Sequence, residues 1–268
     1  MEFTKMQGLG NDYLYVRAER LPEDAAALSV RLSDRHFGPG ADGMIWILPS
    51  DCADAEMRIF NADGSEARMC GNGIRCVGKY LYERGICRKT ALRVQTLAGI
   101  KTLQLQLEGE RVASISVGMG TALVSDPEAV TAAGRALTVL SVDMGNPHAV
   151  CFVPEVSDDM LQSVGPTLQA HPRFPGGVNF ELAALTGENR LRMRVWERGS
   201  GVTLACGTGA CATAAAAVSR GLCAFDAPIR VQLDGGELQI TVDREFRVSM
   251  TGPAEFVYSG QLTVESGE

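Results

Sequence analysis

The stretch MRIFNADGSEARMCGNGIRC at residues 57–76 recurs, in changed form, as MRVWERGSGVTLACGTGACA at residues 193–212. A gapless shift of 136 positions makes five residues coincide: Met57, Arg58, Cys70, Gly71 and Gly73 align with Met193, Arg194, Cys206, Gly207 and Gly209. The same shift also aligns Arg84, Gly85 and Cys87 with Arg220, Gly221 and Cys223. A register held over about thirty residues predicts two copies of one structural unit. Each copy has one cysteine in a Cys-Gly-x-Gly turn.

The composition is that of a globular protein with a buried core. The chain has 268 residues, of which 46% are hydrophobic and 21% charged. Its formal net charge is −7, and no cluster of Lys and Arg occurs, which argues against nucleic acid and anionic membrane surfaces as partners. No leader-like segment and no apolar run of membrane-spanning length is present, so we expect a cytoplasmic protein.

The repeat period of half the chain predicts two domains. We expect the first to comprise residues 1–117 and the second residues 118–253, with a Gly-, Ala- and Pro-rich junction at 118–136. The last segment, 254–268, has no counterpart in the first copy. It is expected to return to the first domain as an extra strand.

Helices are predicted where the apolar spacing is helical and glycines end the pattern. They are expected at residues 23–35, from immediately after Cys70 to Gly85, near 157–169 and at about 208–219. Most of the remaining chain alternates apolar and polar residues, which is typical of strands. The loop QGLGND is expected to present Asn11.

The eight cysteines include two at unusual places. In a chain of this length without a secretion signal we expect reduced thiols, and no spacing suggests a metal site. Cys70 and Cys206 each lie immediately before a predicted helix, whose first-turn N–H groups and dipole lower the pKa of a thiol. The neighbouring pairs Gly71-Asn72 and Gly207-Thr208 are two candidate anion-binding turns, for which a carboxylate is a natural guest.

Two such thiols in related domains suit inversion at a carbon that has an acidic proton. One thiolate removes the proton from one side while the other thiol donates a proton from the opposite side. Helix N-termini and the exclusion of water would then stabilise the carbanion. We therefore expect no cofactor and no metal.

The segments FTKMQGLGND, NADGSEARMCGNGIRC, DMGNPH, PGGVNF and WERGSGVTLACGTGA resemble those of the diaminopimelate epimerases, a pyridoxal-independent family. The resemblance extends in the same order from residue 2 to about residue 258. It implies an α/β (α+β) fold of two pseudo-symmetric domains. Each would be a barrel-like, mostly antiparallel sheet around a central helix, with the active site in the cleft between the domains.

The resemblance also implies roles for individual residues. Cys70 and Cys206 would be the acid/base pair that converts L,L-diaminopimelate to the meso form, and His148 and Glu197 would tune their pKa values. Tyr258 would lie at a homodimer interface. The substrate-binding positions would be Asn11, Asn61, Gly71, Asn72, Asn146, Asn179, Glu197, Arg198, Gly207 and Thr208, with Arg198 the partner of a second carboxylate.

The chain departs from the family pattern at two positions. Gly43 stands where many members have Gln, and Val202 where many have Glu. Both departures bear on substrate selectivity.

Several alternatives remain open. The asparagines could be turn caps, Glu197 and Arg198 a solvated ion pair, His148 a capping residue, and the two cysteines structural. The function could instead be racemisation of another amino acid such as histidine, a dithiol redox switch, or binding without catalysis. Close thiols would also form a Cys70–Cys206 disulfide upon oxidation.

Overall fold

The structure is a computed structural model that describes residues 1–262, so the end of the predicted segment 254–268 lies outside the described residues. It contains four helices and nineteen strands in the described part. The helices are α1 (Ala25–Ser33), α2 (Gly71–Glu83), α3 (Asp158–Gln169) and α4 (Gly207–Ser219). No described helix has the length and apolar character needed to cross a membrane.

The strands of the first part of the chain are β1 (Glu2–Gly8), β2 (Asn11–Arg17), β3 (Gly43–Leu48), β4 (Ala55–Asn61), β5 (Glu66–Ala67), β6 (Ala91–Thr96), β7 (Gly99–Glu108) and β8 (Arg111–Thr121). Those that follow are β9 (Leu123–Val124), β10 (Glu128–Ala132), β11 (Arg135–Asp143), β12 (Pro147–Phe152), β13 (Asn179–Gly187), β14 (Arg190–Glu197), β15 (Gly201–Val202), β16 (Ile229–Leu233), β17 (Gly236–Val242), β18 (Arg247–Gly252) and β19 (Glu255–Gln261).

The chain forms two compact units, the first comprising Met1–Val117 together with the chain from Gly252 onward. Its strands pair in the order β19-β1-β2-β3-β4-β6-β7-β8, with β5 added to β4. The β2–β3 and β4–β6 pairs are parallel and the others antiparallel. Helix α2 packs against β1, β2 and β7, so the curved sheet surrounds it.

The second unit comprises Gly118–Thr251 and repeats this pairing pattern. Its strands pair in the order β10-β11-β12-β13-β14-β16-β17-β18, again with two parallel pairs, β12–β13 and β14–β16. Helix α4 packs against strands on several sides, from β11 to β17. The predicted fold class, a barrel-like and mostly antiparallel sheet around a central helix, is confirmed for each unit.

The two central helices fit inside their sheets because of what their side chains are. Helix α4 has the sequence GTGACATAAAAVS, and its alanines from Ala214 to Ala217 are completely buried. Short side chains allow the strands to approach the helix closely. In α2, Gly78 has the same effect, since a Cβ there would lie 2.8 Å from a methyl group of Leu103.

One sequence expectation, the placement of Asn11, needs correction. Asn11 is the first residue of β2 rather than part of a loop, because the β1–β2 connection is only Leu9-Gly10, whose φ angles of 57° and 86° give a tight hairpin turn. The predicted junction at 118–136 contains the end of β8 together with β9 and β10, and the boundary between the two compact units lies at its start, between Val117 and Gly118. Within this stretch, Val130 and Ala132 of β10 belong to the second unit's core.

Candidate active site

Each central helix has a cysteine as its N-cap. Cys70 precedes α2 and Cys206 precedes α4, and both have the extended backbone typical of that position. The N–H of Gly73 donates to Cys70 Sγ over 3.3 Å, and the N–H of Gly209 donates to Cys206 Sγ over the same 3.3 Å. The two units therefore place a sulfur in the same relation to a helix N-terminus. An N–H donor of this kind stabilises a thiolate.

In the first unit, Asn11 connects Cys70 to Asp42. The Cys70 thiol lies 3.5 Å from Asn11 Oδ1, to which it donates, while Asn11 Nδ2 donates to Asp42 Oδ2 over 2.8 Å. The same Asp42 oxygen accepts the N–H of Asp12 at 3.1 Å. Asp42 thus determines which end of the Asn11 amide faces the sulfur.

A buried arginine orients the other polar side chain of this turn. Arg75 is completely buried in α2, and its Nη2 donates to Asn72 Oδ1 over 3.0 Å. Its Nη1 and Nε donate to the carbonyl oxygens of Gly71 and Pro253 at 3.1 and 3.0 Å. Because Oδ1 of Asn72 accepts from the guanidinium, the amide nitrogen is the end that can donate to an anion at the first turn.

Tyr13 lies beside Cys70 and leaves no room at Gly43. A Cβ at Gly43 would lie 2.2 Å from the carbonyl oxygen of Phe60 and 2.9 Å from the Tyr13 ring. Burial raises the pKa of Tyr13 well above its ordinary value, and the neighbouring charges of Cys70 and Asp42 raise it further. Tyr13 is therefore a neutral phenol next to the thiol.

In the second unit, a chain of side chains leads from Cys206 into the core. Thr208 Oγ1 lies 3.5 Å from Cys206 Sγ, and Asn146 Nδ2 donates to Thr208 Oγ1 over 3.3 Å. Asn146 Oδ1 is 3.1 Å from His148 Nε2, and His148 Nδ1 is 2.6 Å from Glu181 Oε1. His148 and Glu181 are fully buried side chains.

A cavity of about 510 Å³ in the second unit adjoins this series of hydrogen-bonded side chains, and its lining includes Asn146, His148 and Arg173. It has the volume of a small-molecule site.

The pKa of Cys206 differs from the sequence expectation. The expected lowering by the helix N-terminus is wrong for this residue, because burial raises the Cys206 pKa well above its ordinary value. The charges of Glu197 and Glu181 raise it further, while the hydrogen bonds from Thr208 and the Gly209 N–H lower it less. Desolvation and two carboxylates outweigh one helix terminus. Cys206 is therefore a protonated thiol at neutral pH.

Of the other cysteines, for which the sequence predicts inert buried side chains, Cys76 in α2 and Cys151 in β12 are buried, whereas Cys52 is exposed and that prediction is wrong for it. Burial raises the pKa of Cys76 to about 11 and that of Cys151 to about 11. Neither is a thiolate at neutral pH.

Asn179, Glu197 and Arg198 meet at the ends of β13 and β14. Asn179 Oδ1 accepts the N–H of Arg198 at 2.8 Å, a contact between the start of β13 and the end of β14. The Arg198 guanidinium donates to the carbonyl oxygen of Gly176 over 2.8 Å. Glu197 accepts a hydrogen bond from Thr203.

Three further positions lie in surface turns or strands. Asn61 Nδ2 donates to Ser65 Oγ over 3.0 Å, within a turn. Val202 is exposed in the short strand β15. Tyr258 is 43% exposed, its ring packs edge-on against Phe3, and its hydroxyl donates to the carbonyl oxygen of Pro39.

Sequence reasoning missed four residues near the cysteines, namely Tyr13, Asp42, Arg75 and Glu181. For two of them a signal exists in the sequence. Glu181 interrupts the apolar run of β13, and Arg75 interrupts the apolar stretch from Ile74 to Val77 in α2. A charged residue at a core position needs a partner, and such a residue is a candidate site component. Tyr13 and Asp42 follow turns and have no comparable signal.

Two solved structures of low sequence identity share this fold. A probable proline racemase from Agrobacterium radiobacter superimposes with a TM-score of 0.78 at 17% identity, covering 98% of this chain and 93% of the other. A hydroxyproline epimerase from Agrobacterium vitis superimposes with a TM-score of 0.72 at 18% identity, covering 98% and 90%.

Sequence relatives are much more similar. The profile of a family described as diaminopimelate epimerase matches residues 3–124 and 140–257. A diaminopimelate epimerase of Acetivibrio thermocellus is 46% identical over an alignment of 277 positions, which covers 98% of each chain. The protein is thus an isomerase, of the class formed by the epimerases and racemases. Within that class, the chain belongs to the diaminopimelate epimerase family.

Proposed function

We propose that the protein converts L,L-diaminopimelate to meso-diaminopimelate with Cys70 and Cys206 as its acid/base pair. The observation that carries this proposal is the pair of N-cap cysteines, one in each unit, each accepting an N–H bond of 3.3 Å from the glycine three residues on. The product would serve lysine and peptidoglycan precursor synthesis.

In the proposed reaction one sulfur removes the α-proton as a thiolate and the other delivers a proton to the opposite side of the same carbon. The electron pair left on the carbon is delocalised into the α-carboxylate, and reprotonation restores the sp³ centre with inverted configuration. The reverse reaction exchanges the two roles. The number of protons on the two sulfurs together is unchanged by a turnover. No cofactor is required by this scheme.

The proposed carboxylate site consists of the two cysteine turns. The first-turn N–H groups of α2 and α4, at Gly71, Asn72, Gly207 and Thr208, are donors that face an anion at a helix N-terminus. Negative charge that develops on the carboxylate is then stabilised by dipoles that are already oriented.

Cys206 would enter the reaction as the acid. Its burial and its proximity to Glu197 and Glu181 favour the protonated thiol before substrate binds. For catalysis in both directions the same sulfur must also exist as a thiolate, so the donors from Thr208 and Gly209 matter as much as the burial.

The far end of the substrate, with its ammonium and carboxylate groups, is proposed to bind Arg198, Glu197 and the asparagines at positions 11, 61, 146 and 179. Arg198 matches a carboxylate by its planar fork of donors. Glu197 is an acceptor suited to an ammonium group.

The proposal is tested by incubating the protein with L,L-diaminopimelate in deuterated water and following deuterium incorporation at the α-carbon together with the L,L to meso ratio. We expect the parent to do both, and Cys70→Ala and Cys206→Ala each to lose turnover by roughly a hundredfold or more. Cys52→Ala, at an exposed position, is the matched control and keeps full activity. Turnover that survives either Ala change, or a parent that leaves the substrate unlabelled, contradicts the proposal.

One observation favours a second candidate, racemisation of another amino acid. Gly43 has no space for the side-chain contact that many family members have at this position. A panel of L-amino acids that includes histidine, assayed for the same deuterium uptake, distinguishes diaminopimelate epimerisation from racemisation of another amino acid. Exchange with histidine and none with diaminopimelate would select the second candidate.

We also propose a homodimer with Tyr258 at its interface. Tyr258 keeps much of its ring exposed although it packs on Phe3. Sedimentation of the parent and of Tyr258→Ala tests this, since a monomeric parent would contradict it.

A further inference from the structure

We propose that Glu181 is a positioning residue that, through His148 and Asn146, makes Thr208 donate its hydroxyl hydrogen to Cys206. Cys206 is a thiol of the proposed function, so this inference rests on that function. It concerns the hydrogen bond that Cys206 Sγ accepts, and so the ease with which the thiolate forms, rather than the identity of the substrate.

Glu181 is placed for this role by the alternation of β13. Phe180 and Leu182 point into the core cluster that packs on α3, so Glu181 points to the opposite face, where α4 packs. A Cβ added at Gly209 would lie 2.7 Å from Glu181 Oε1. The carboxyl group therefore lies directly beneath the first turn of α4.

The burial of Glu181 makes its single strong contact decisive. The side chain is 0% exposed, its Oε1 is 2.6 Å from His148 Nδ1, and its Oε2 has no hydrogen-bond partner among the described residues. A buried carboxyl with one partner is stable only if it shares a proton with that partner. Burial raises the pKa of Glu181, which favours keeping that proton between Oε1 and Nδ1.

The direction of every further hydrogen bond follows from this first one. As a neutral acid Glu181 donates its proton to Nδ1, so the single N–H of the imidazole is at Nε2, which donates to Asn146 Oδ1 at 3.1 Å. Asn146 then has Nδ2 towards Thr208 and donates to its Oγ1 over 3.3 Å. An oxygen that accepts from Asn146 has its own hydrogen available, and Cys206 Sγ at 3.5 Å is the next acceptor.

Without Glu181, the hydrogen bonds from His148 through Asn146 to Thr208 have a second possible arrangement. His148 can move its proton to Nδ1 and accept at Nε2, which lets the Asn146 amide turn over. Thr208 would then donate to Asn146 Oδ1, and the sulfur would lose a donor. The groups that face Cys206 in this unit are Glu197, Glu181 and Thr208, with His148 behind Asn146. Loss of Glu181 thus changes both the direct electrostatic effect of its side chain on the sulfur and a hydrogen bond, and a test must separate the two effects.

A double-mutant cycle separates the two effects. The midpoint pH of Cys206 alkylation by iodoacetamide is measured by mass spectrometry in the parent, Glu181→Leu, Thr208→Val and the double variant. Any direct electrostatic effect of removing the Glu181 side chain acts equally in both Thr208 backgrounds and cancels in the difference. The lost hydroxyl donor acts only where Thr208 is present. We expect Glu181→Leu to shift the midpoint upward by about one pH unit more with Thr208 present than with Val. Equal shifts in both backgrounds overturn the proposal.

The parent protein supplies a second test that needs no Glu181 variant. The chain has three histidines, so ¹⁵N spectra of histidine-labelled protein resolve each imidazole, and a His148→Gln sample assigns the relevant signals. We expect Nε2 of His148 to be protonated at neutral pH. An unprotonated Nε2 overturns the proposal even if Glu181→Leu does not fold.

Neither measurement uses a substrate. If the parent fails to label diaminopimelate, the proposed function fails while the alkylation cycle and the imidazole spectrum still decide the role of Glu181.

Discussion

Gly73 and Gly209, three residues after the N-cap cysteines, must be glycines for packing reasons. A Cβ at Gly73 would lie 2.6 Å from Ile45 Cδ1, and one at Gly209 would lie 2.7 Å from Glu181 Oε1 and 3.3 Å from Cys206 Sγ. Both glycines also donate the N–H that each sulfur accepts. At the scale of single residues, the Cys-Gly-x-Gly motif is therefore a packing requirement as well as a chemical one.

Gly43 is the residue whose substitution we expect to destabilise the first unit most clearly. In Gly43→Ala the new methyl group would lie 2.2 Å from the carbonyl oxygen of Phe60, on the adjacent strand. Because backbone cannot move aside as a side-chain end can, we expect a loss of roughly 2 kcal/mol in the free energy of unfolding. Urea unfolding of the parent and the variant measures this loss of free energy. Gly187→Ala is the control, since its Cβ would make only an ordinary contact of 3.6 Å with Arg190. Equal stability of both variants would contradict the clash.

At the scale of secondary-structure elements, the β1–β2 hairpin is tied to the chain after α1 by charged side chains. Lys5 Nζ and Arg35 Nη2 each lie 2.8 Å from an Asp12 carboxylate oxygen, and Arg35 also pairs with Asp42 at 2.9 Å. Asp42 in turn bonds Asn11, which accepts from Cys70. The position of Asn11 beside Cys70 is thus supported by an ion-pair network.

Asp12 should make part of the stability dependent on acid. Burial alone would raise its pKa, but the hydrogen bonds and charges of Arg35 and Lys5 outweigh burial, so the pKa is lowered. A lowered folded-state pKa means stabilisation that is present above about pH 4 and is lost as pH falls through the folded value. Asp12→Asn should therefore be less stable than the parent at pH 7, and the difference should shrink below about pH 4. Urea unfolding of both proteins at a series of pH values measures this difference in stability. A constant difference across the series would contradict the ion-pair role.

The sequence predicts elements better than it predicts the partners of their side chains. The helix that follows each cysteine was predictable because glycines, apolar spacing and the repeat agree over 13 residues in both α2 and α4. The partners Asp42 and Glu181 were not predictable, since they lie 31 and 33 positions from Asn11 and His148. Strand pairing brings them together, and no local pattern encodes it.

At the scale of the whole molecule, the two units share one strand order, with one difference in how the chain supplies it. The outermost position beside β11 is taken by β10, the next strand in sequence, whereas the position beside β1 is taken by β19 from the chain end. The Met1 amino group donates to the carbonyl oxygen of Leu262 over 2.7 Å, which connects the residue before β1 to the residue after β19. The first unit is therefore complete only when the last strand has been added.

Oxidation should test whether the two units act together. If the sulfurs of Cys70 and Cys206 serve one carbon, peroxide in the absence of substrate should join them in a disulfide and abolish turnover, and dithiothreitol should restore it. Activity after peroxide and the mass of the joined peptides measure this. Cys52→Ala should be inactivated like the parent, which would exclude the exposed thiol as the target. Full activity after peroxide without reductant would argue against close sulfurs.

The sequence alone determined the duplication, the helix starts at Cys70 and Cys206, and the family, because these depend on residue types at short, fixed spacings. Only the tertiary structure decided the ionisation of Cys206, the neutral Tyr13 beside Cys70, the orienting contacts of Arg75 and the position of Glu181 beneath α4. The physical reason is that a pKa and a hydrogen-bond direction depend on burial and on neighbours from distant parts of the chain. Those neighbours come together only when the strands have paired.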